Sequence, residues 1–180
     1  MATTIARGLR TICLHGPESV GKSVLAAELA AHFGTVFVPE YGRTYCEQFG
    51  TELGNDDLLT IGKTQAAMAE TAARRANQLL ILDTDPLMTA VWSDMMLGHR
   101  DPWFAAFDAT ADLYLLLDID LPWVDDGTRI YGDAVTRADF FNRCRDELIA
   151  RDVDWVLVSG KEKARTTAAL AAIARAFPEV

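Results

Sequence analysis

Residues Gly16-Pro17-Glu18-Ser19-Val20-Gly21-Lys22-Ser23 fit the spacing Gly-x-x-x-x-Gly-Lys-Ser, the pattern of a loop that cradles phosphate. Gly16 and Gly21 admit backbone conformations closed to side chains. The stretch from Glu18 through Ser19, Val20, Gly21, Lys22 and Ser23 to Val24 then forms an anion site, in which free amides and a helix N-terminus point at one spot. Lys22 is placed to reach the β- and γ-phosphates, and the Ser23 hydroxyl to bind Mg²⁺. Downstream, Pro39-Glu40-Tyr41-Gly42-Arg43 and Leu82-Asp83-Thr84-Asp85-Pro86 each end an apolar run in carboxylates. Phosphoryl transfer to an alcohol needs a base for the acceptor proton, and Glu40 is the first candidate, its plainer role being a first-turn acid on the helix dipole. Four apolar residues followed by Asp83 give the carboxylate that orients Mg²⁺ beside such a loop. Asp85, before Pro86, has two readings, a helix N-cap or a contact to the acceptor.

A third acidic group is Asp118-Ile119-Asp120-Leu121-Pro122-Trp123-Val124-Asp125-Asp126-Gly127-Thr128-Arg129. Four acids repelling one another are hard to explain as stabilisation. Trp123 with Asp125 and Asp126, joined by Tyr41, would suit a flat cationic ring, whereas a solvated acidic turn is the plainer reading. Arg129 and Arg137 flank Gly132 and read as lid cations for the transferring phosphate. Arg143 and Arg145 read as surface arginines paired with nearby acids. Ser159-Gly160 ends the last apolar run and has two readings, a border for adenine or a simple strand-to-helix turn. The guanine-reading Asn-Lys-x-Asp is missing from the sequence, which favours ATP.

These groups need a scaffold that gathers them. Apolar runs at residues 11–15, 35–38, 79–82, 113–117 and 155–158 alternate with helical patterns at 23–33, 41–49, 56–78, 86–97, 138–151 and 162–177. Continuous apolar strands separated by helices predict a five-stranded parallel sheet covered on both faces, the three-layer α/β fold of phosphate-loop nucleoside kinases. Ligands in such sheets bind outside the carboxyl ends of the strands, where all the candidate residues fall. No linker or repeat interrupts the chain, so one domain over residues 1–180 is expected.

The bulk numbers narrow the partners. A net charge of −9 over 180 residues leaves no basic stripe for nucleic acid, while it suits either a solvated acidic surface or a cationic small substrate. No apolar run is long enough to cross a bilayer, and residues 1–10 do not read as a secretion signal. Cys13, Cys46 and Cys144 lack metal-ligand spacing and read as reduced thiols of a cytoplasmic protein. His15, His32 and His99 are scattered and read as incidental. The sequence carries no mark of oligomeric state.

Taken together, Gly-Pro-Glu-Ser-Val-Gly-Lys-Ser, Pro-Glu-Tyr-Gly-Arg, Leu-Asp-Thr-Asp, Trp-Val-Asp-Asp-Gly-x-Arg and Val-Ser-Gly resemble the ribosylnicotinamide kinase domain of the NadR family over residues 11–177. The resemblance implies ATP-dependent phosphorylation of the 5′-hydroxyl of nicotinamide riboside to nicotinamide mononucleotide. A similar branch of kinases, acting on deoxynucleosides, implies a base at the Glu ending the second strand, here Glu40. With ten residues before the first strand, the expectation is a stand-alone kinase without the adenylyl-transfer and DNA-binding domains of longer relatives. The alternatives are a kinase for another nucleoside or a vitamin alcohol such as thiamine, and a nucleotide-dependent regulatory ATPase.

Overall fold

The structure, a computed structural model, describes residues 8–180. Residues 1–7, on which the reading of the amino terminus partly rests, lie outside the described residues. The elements run β1 (Arg10–His15), α1 (Lys22–Phe33), β2 (Phe37–Val38), α2 (Tyr41–Phe49), α3 (Asn55–Ala73), β3 (Leu79–Leu82), α4 (Pro86–Leu97), α5 (Pro102–Ala106), β4 (Leu113–Leu117), α6 (Ala134–Ala150), β5 (Trp155–Val158) and α7 (Lys163–Ala176). The sheet order is β2-β3-β1-β4-β5, with every pair parallel. The expected fold is therefore the observed one.

Burial on both faces explains why the strands read as unbroken apolar runs. Side chains alternate across a strand, and Ile12 and Leu14 join one core with Leu25 and Leu29 of α1 and Ile173 of α7. Cys13 between them joins the other core, with Met88 and Val91 of α4 and Phe140 and Leu148 of α6. The same split divides Leu79 and Ile81 from Leu80 and Leu82, and Leu113 and Leu115 from Tyr114 and Leu116. Register fixes Ile12 between Ile81 and Leu113. β1 is thus the centre of the sheet, and its carboxyl end delivers the phosphate loop between β3 and β4.

Several boundaries differ from the sequence expectation. β2 has two residues rather than four. α3 stops at Ala73, five residues early, because the chain must turn to re-enter the sheet: Asn77 donates to the Thr35 hydroxyl at 3.1 Å, and Arg10 to the Gln78 carbonyl at 2.9 Å. α6 begins at Ala134, four residues early, since Asp133 accepts from the amides of Val135 and Thr136. The single turn α5, capped by Asp101 onto the Trp103 amide, is too short for a periodic signal. Among the described residues, no helix is long and apolar enough to cross a membrane.

Candidate active site

The phosphate loop links β1 to α1 in the conformation its glycines imply. Gly16 has φ 132° and Gly21 φ 82°, both in the region that disfavours side chains. A Cβ on Gly16 would also meet the Leu117 carbonyl oxygen at 3.1 Å. Lys22, buried at the start of α1, donates from Nζ to the carbonyls of Gly16 and Pro17 at 2.9 and 2.7 Å. These are parking contacts that a phosphate oxygen would replace.

Two cavities meet beside this loop. The first is lined by residues 18–24 with Glu40, Arg43 and Asp83, and contains the phosphate loop. The second is walled by Leu58, Ile61, Met88 and Met96, with Gln65, Thr84 and Thr89 as polar groups. Glu18, Glu40, Arg43, Trp92 and Arg129 line both. They form the partition between the two.

Glu40 stands at the N-cap position of α2, yet its side chain makes no capping bond. The plainer reading of this residue, a helix-end acid, is not its main placement: it faces both cavities. Gln65, 2 % exposed, clamps the turn that carries it. Its amide oxygen accepts from Tyr41 N at 2.8 Å, and its nitrogen donates to the carbonyls of Pro39 at 3.2 Å and Thr84 at 3.4 Å. Asp83, 1 % exposed, leaves Oδ1 without a hydrogen-bond partner. Burial first, and then the nearby charge of Glu40, push its carboxyl up to about 7, against the pull of Lys22, the Ser23 hydroxyl and Arg43. A buried carboxylate with an open oxygen beside a hydroxyl is a fitting pair of ligands for Mg²⁺, a hard cation that takes few protein ligands beside phosphate.

The acid-rich segment 118–129 is placed differently from the sequence expectation. Glu18 Oε1 accepts from Trp123 Nε1 at 3.1 Å and from the amides of Ile130 and Tyr131 at 2.9 and 2.6 Å. Ser19 Oγ accepts from Val124 N at 2.9 Å and Arg129 Nη1 at 3.1 Å. Two side chains of the phosphate loop therefore hold the segment from Trp123 to Tyr131. Trp123 lies flat against Gly132, where an added Cβ would sit 3.0 Å from the indole. Asp126 pairs with Arg43 at 2.6 Å and Arg129 at 3.1 Å; burial opposes its ionisation, but bonds from Arg43 and Thr128 hold its carboxyl below the usual range. Asp125 caps the Gly127 amide. Trp123, Asp125 and Asp126 thus fasten the loop and line neither cavity. Their expected mutual repulsion is absorbed by arginines and backbone amides.

Tyr41 and Asp85 also leave the expected pocket. The Tyr41 ring packs against Tyr45, centroids 6.1 Å apart. Asp85 caps α4 through Leu87 N at 3.0 Å and takes the Tyr114 hydroxyl on its other oxygen; of its two readings the structure shows the cap. Arg129 lines both cavities, whereas Arg137 is buried with Nη2 on the Ser19 carbonyl at 3.3 Å, bracing the loop from behind. Ser159 and Gly160 face the end of β4: Ser159 donates to Asp118 at 2.8 Å and Gly160 N to Asp120 at 2.6 Å. Both line neither cavity.

Sequence reasoning missed four residues. Arg165 of α7 joins the phosphate loop to this region through the Val20 carbonyl, the Gly160 carbonyl and Asp120. Trp92, Gln65 and Thr84 line the second cavity. Trp92 stacks on Tyr131 at 5.5 Å and 22°. Its spacing in α4 reads as core, and only the fold reveals that it fronts a cavity.

A family described as an AAA domain, AAA_28, matches residues 11–165. The chain belongs to this family. Among curated proteins, this AAA_28 member is 31% identical over 163 residues to the trifunctional NAD biosynthesis/regulator protein NadR of Escherichia coli (strain K12), a match covering 86% of the chain and 39% of that protein. The same protein of Salmonella typhimurium is 31% identical over 158 residues, covering 83% and 38%. The chain spans about two fifths of the length of these relatives, and the resemblance to NadR read from the motifs holds. Among solved structures, NadR in complex with NR superposes with a TM-score of 0.83 at 23% identity, over 96% of this chain and 53% of that one. NadR in complex with NAD and AMP-PNP gives 0.77 at 23%, over 93% and 49%. A deoxyadenosine kinase from M. mycoides gives 0.61 at 16%, over 90% and 96%. The shared architecture is that of phosphate-loop kinases.

Proposed function

We propose that this protein is an ATP-dependent kinase that phosphorylates the 5′-hydroxyl of nicotinamide riboside, giving nicotinamide mononucleotide and ADP. The observation that carries the reading is the partition: a phosphate cradle and a mostly apolar acceptor cavity meet at two carboxylates, Glu18 and Glu40, flanked by Arg43 and Arg129, and of the two Glu18 is taken up by Trp123 and the amides of Ile130 and Tyr131. The NadR relatives add support, since one was solved with NR and another with an ATP analogue.

On this reading Lys22 leaves the Gly16 and Pro17 carbonyls for the β- and γ-phosphates. Ser23 and Asp83 hold Mg²⁺, which supplies charge neutralisation to the phosphates. Glu40 accepts the proton of the 5′-hydroxyl as its oxygen bonds to phosphorus and the bond from phosphorus to the ADP oxygen breaks. Arg129 meets the charge on the transferring group, and Arg137 acts on it indirectly, by holding the phosphate loop. The cationic ring of the substrate faces Trp92 and the carboxylates of the partition. The lid excludes water and so favours transfer over hydrolysis.

The test is direct. Purified protein with ATP, Mg²⁺ and nicotinamide riboside should yield the mononucleotide and ADP in equal amounts by chromatography. Glu40→Gln should lower kcat by ~10²–10⁴ with ATP affinity retained. Absence of the mononucleotide in the wild type would refute the acceptor, and unchanged turnover in the variant would remove Glu40 as base.

A further inference from the structure

Thr84 carries two costs at once. Its φ is 106°, a conformation that β-branched residues avoid and that persists only where the surroundings impose it. Its hydroxyl, on a residue 4 % exposed, has no hydrogen-bond partner in the protein, although buried polar groups are nearly always paired.

The backbone reversal has an evident cause. Asp83 N is tied to the Val38 carbonyl at 2.9 Å, keeping residue 83 in the sheet, and Asp85 must face α4 to cap it at 3.0 Å. One residue between them has to turn, and Gln65 pins its carbonyl at 3.4 Å. Glycine would make this turn without strain. A threonine there leaves its side chain unexplained, unless the hydroxyl serves something outside the protein. Thr84 lines the acceptor cavity and not the nucleotide cavity, and its neighbour Asp83 lines the nucleotide side. A group reaching Thr84 is therefore near the reacting end of the acceptor.

We propose that the Thr84 hydroxyl binds a sugar hydroxyl of the acceptor, donating or accepting one hydrogen bond close to the point of phosphoryl transfer. Thr84 is then a specificity residue for ribosides, held ready by the clamp of Gln65. The inference rests on the kinase reading above and deepens it.

The experiment uses Thr84→Val, which keeps shape and loses the hydroxyl, Thr84→Ser, which keeps the hydroxyl, and Thr84→Gly, which relieves the backbone. Each is assayed with nicotinamide riboside and its 2′-deoxy and 3′-deoxy analogues. Thr84→Val should lower kcat/KM for the riboside about tenfold, the effect of one lost hydrogen bond, with the KM for ATP unchanged. Thr84→Ser should stay within about twofold of the wild type. The valine penalty should vanish for one deoxy analogue, the one lacking the contacted hydroxyl, as a coupled pair requires. Thr84→Gly should melt above the wild type without substrate, yet use the riboside as poorly as the valine variant. An active wild type whose Thr84→Val variant is unimpaired, or equally impaired on all three acceptors, overturns the assignment. A wild type that makes no mononucleotide overturns the parent reading and this one with it.

Discussion

Burial and the charge of Glu40 push the Asp83 carboxyl up to about 7, so its ionisation opposes folding, and replacing it with Asn should stabilise the nucleotide-free protein while abolishing catalysis. Its carboxyl titrates at 3.8 in an unstructured chain and at about 7 in the fold. A folded value raised above the unfolded one means the native state binds the extra proton. Any associated stability is complete below about pH 4 and is lost as pH rises towards about 7. The full displacement corresponds to about 4 kcal/mol at most. Part of it comes from the charge of Glu40 rather than burial, so ~2 kcal/mol is the working figure for what Asn recovers. For a chain of this size that is about 4–8 °C in melting temperature. Thermal melts of wild type and Asp83→Asn at pH 8 and pH 5, without nucleotide or Mg²⁺, should show the variant higher at pH 8 and the gap narrower at pH 5. The same variant should lose over ~10²-fold in kcat. A variant that melts at or below the wild type at pH 8 would show that the buried carboxylate is not under the electrostatic load described.

Three other perturbations probe the frame around the site. Glu18→Ala leaves Trp123 Nε1 and two lid amides without their acceptor, so segment 121–131 should be cut by trypsin at Arg129 about tenfold faster, checked by gel and mass spectrometry. Gly16→Ala meets the Leu117 carbonyl at 3.1 Å on top of a φ of 132°, and should weaken ATP binding at least about tenfold by calorimetry, with a stability loss of about 1–3 kcal/mol. Phe140→Ala empties the space behind Trp92 and Tyr131, whose rings lie 4.7 and 5.7 Å away; urea unfolding should show a loss of about 3–5 kcal/mol, and the KM for the acceptor should rise more than that for ATP.

The sheet and the phosphate loop were legible because local rules and tertiary demands agree there. Residues 79–82 and 113–117 are buried on both faces, so their apolar runs needed no partner to be recognised. Asp85 and Pro86 mark the start of α4 and Gly98 its end in a left-handed conformation, signals written within a few residues. The wall of the second cavity was illegible for the opposite reason. Gln65, Thr84 and Trp92 come from three elements, and which face of α3 or α4 meets a cavity depends on packing. The acidic loop was misread because its neutralising partners are remote: Arg43 lies 83 residues from Asp126, and Glu18 lies 105 from Trp123. Counting like charges along a chain overstates repulsion when the fold brings arginines and amides to them.

The fastening of segment 121–131 onto Glu18 and Ser19 has an evolutionary consequence. Positions that spacing rules treat as free to vary are here committed to holding a distant segment. A transplant of the octapeptide from another nucleotide-binding protein would carry over the grip on triphosphate and leave segment 121–131 unmoored. Drift at positions 18 and 19 should accordingly be matched by drift at Trp123 and Arg129, so that the two stretches are inherited as one unit.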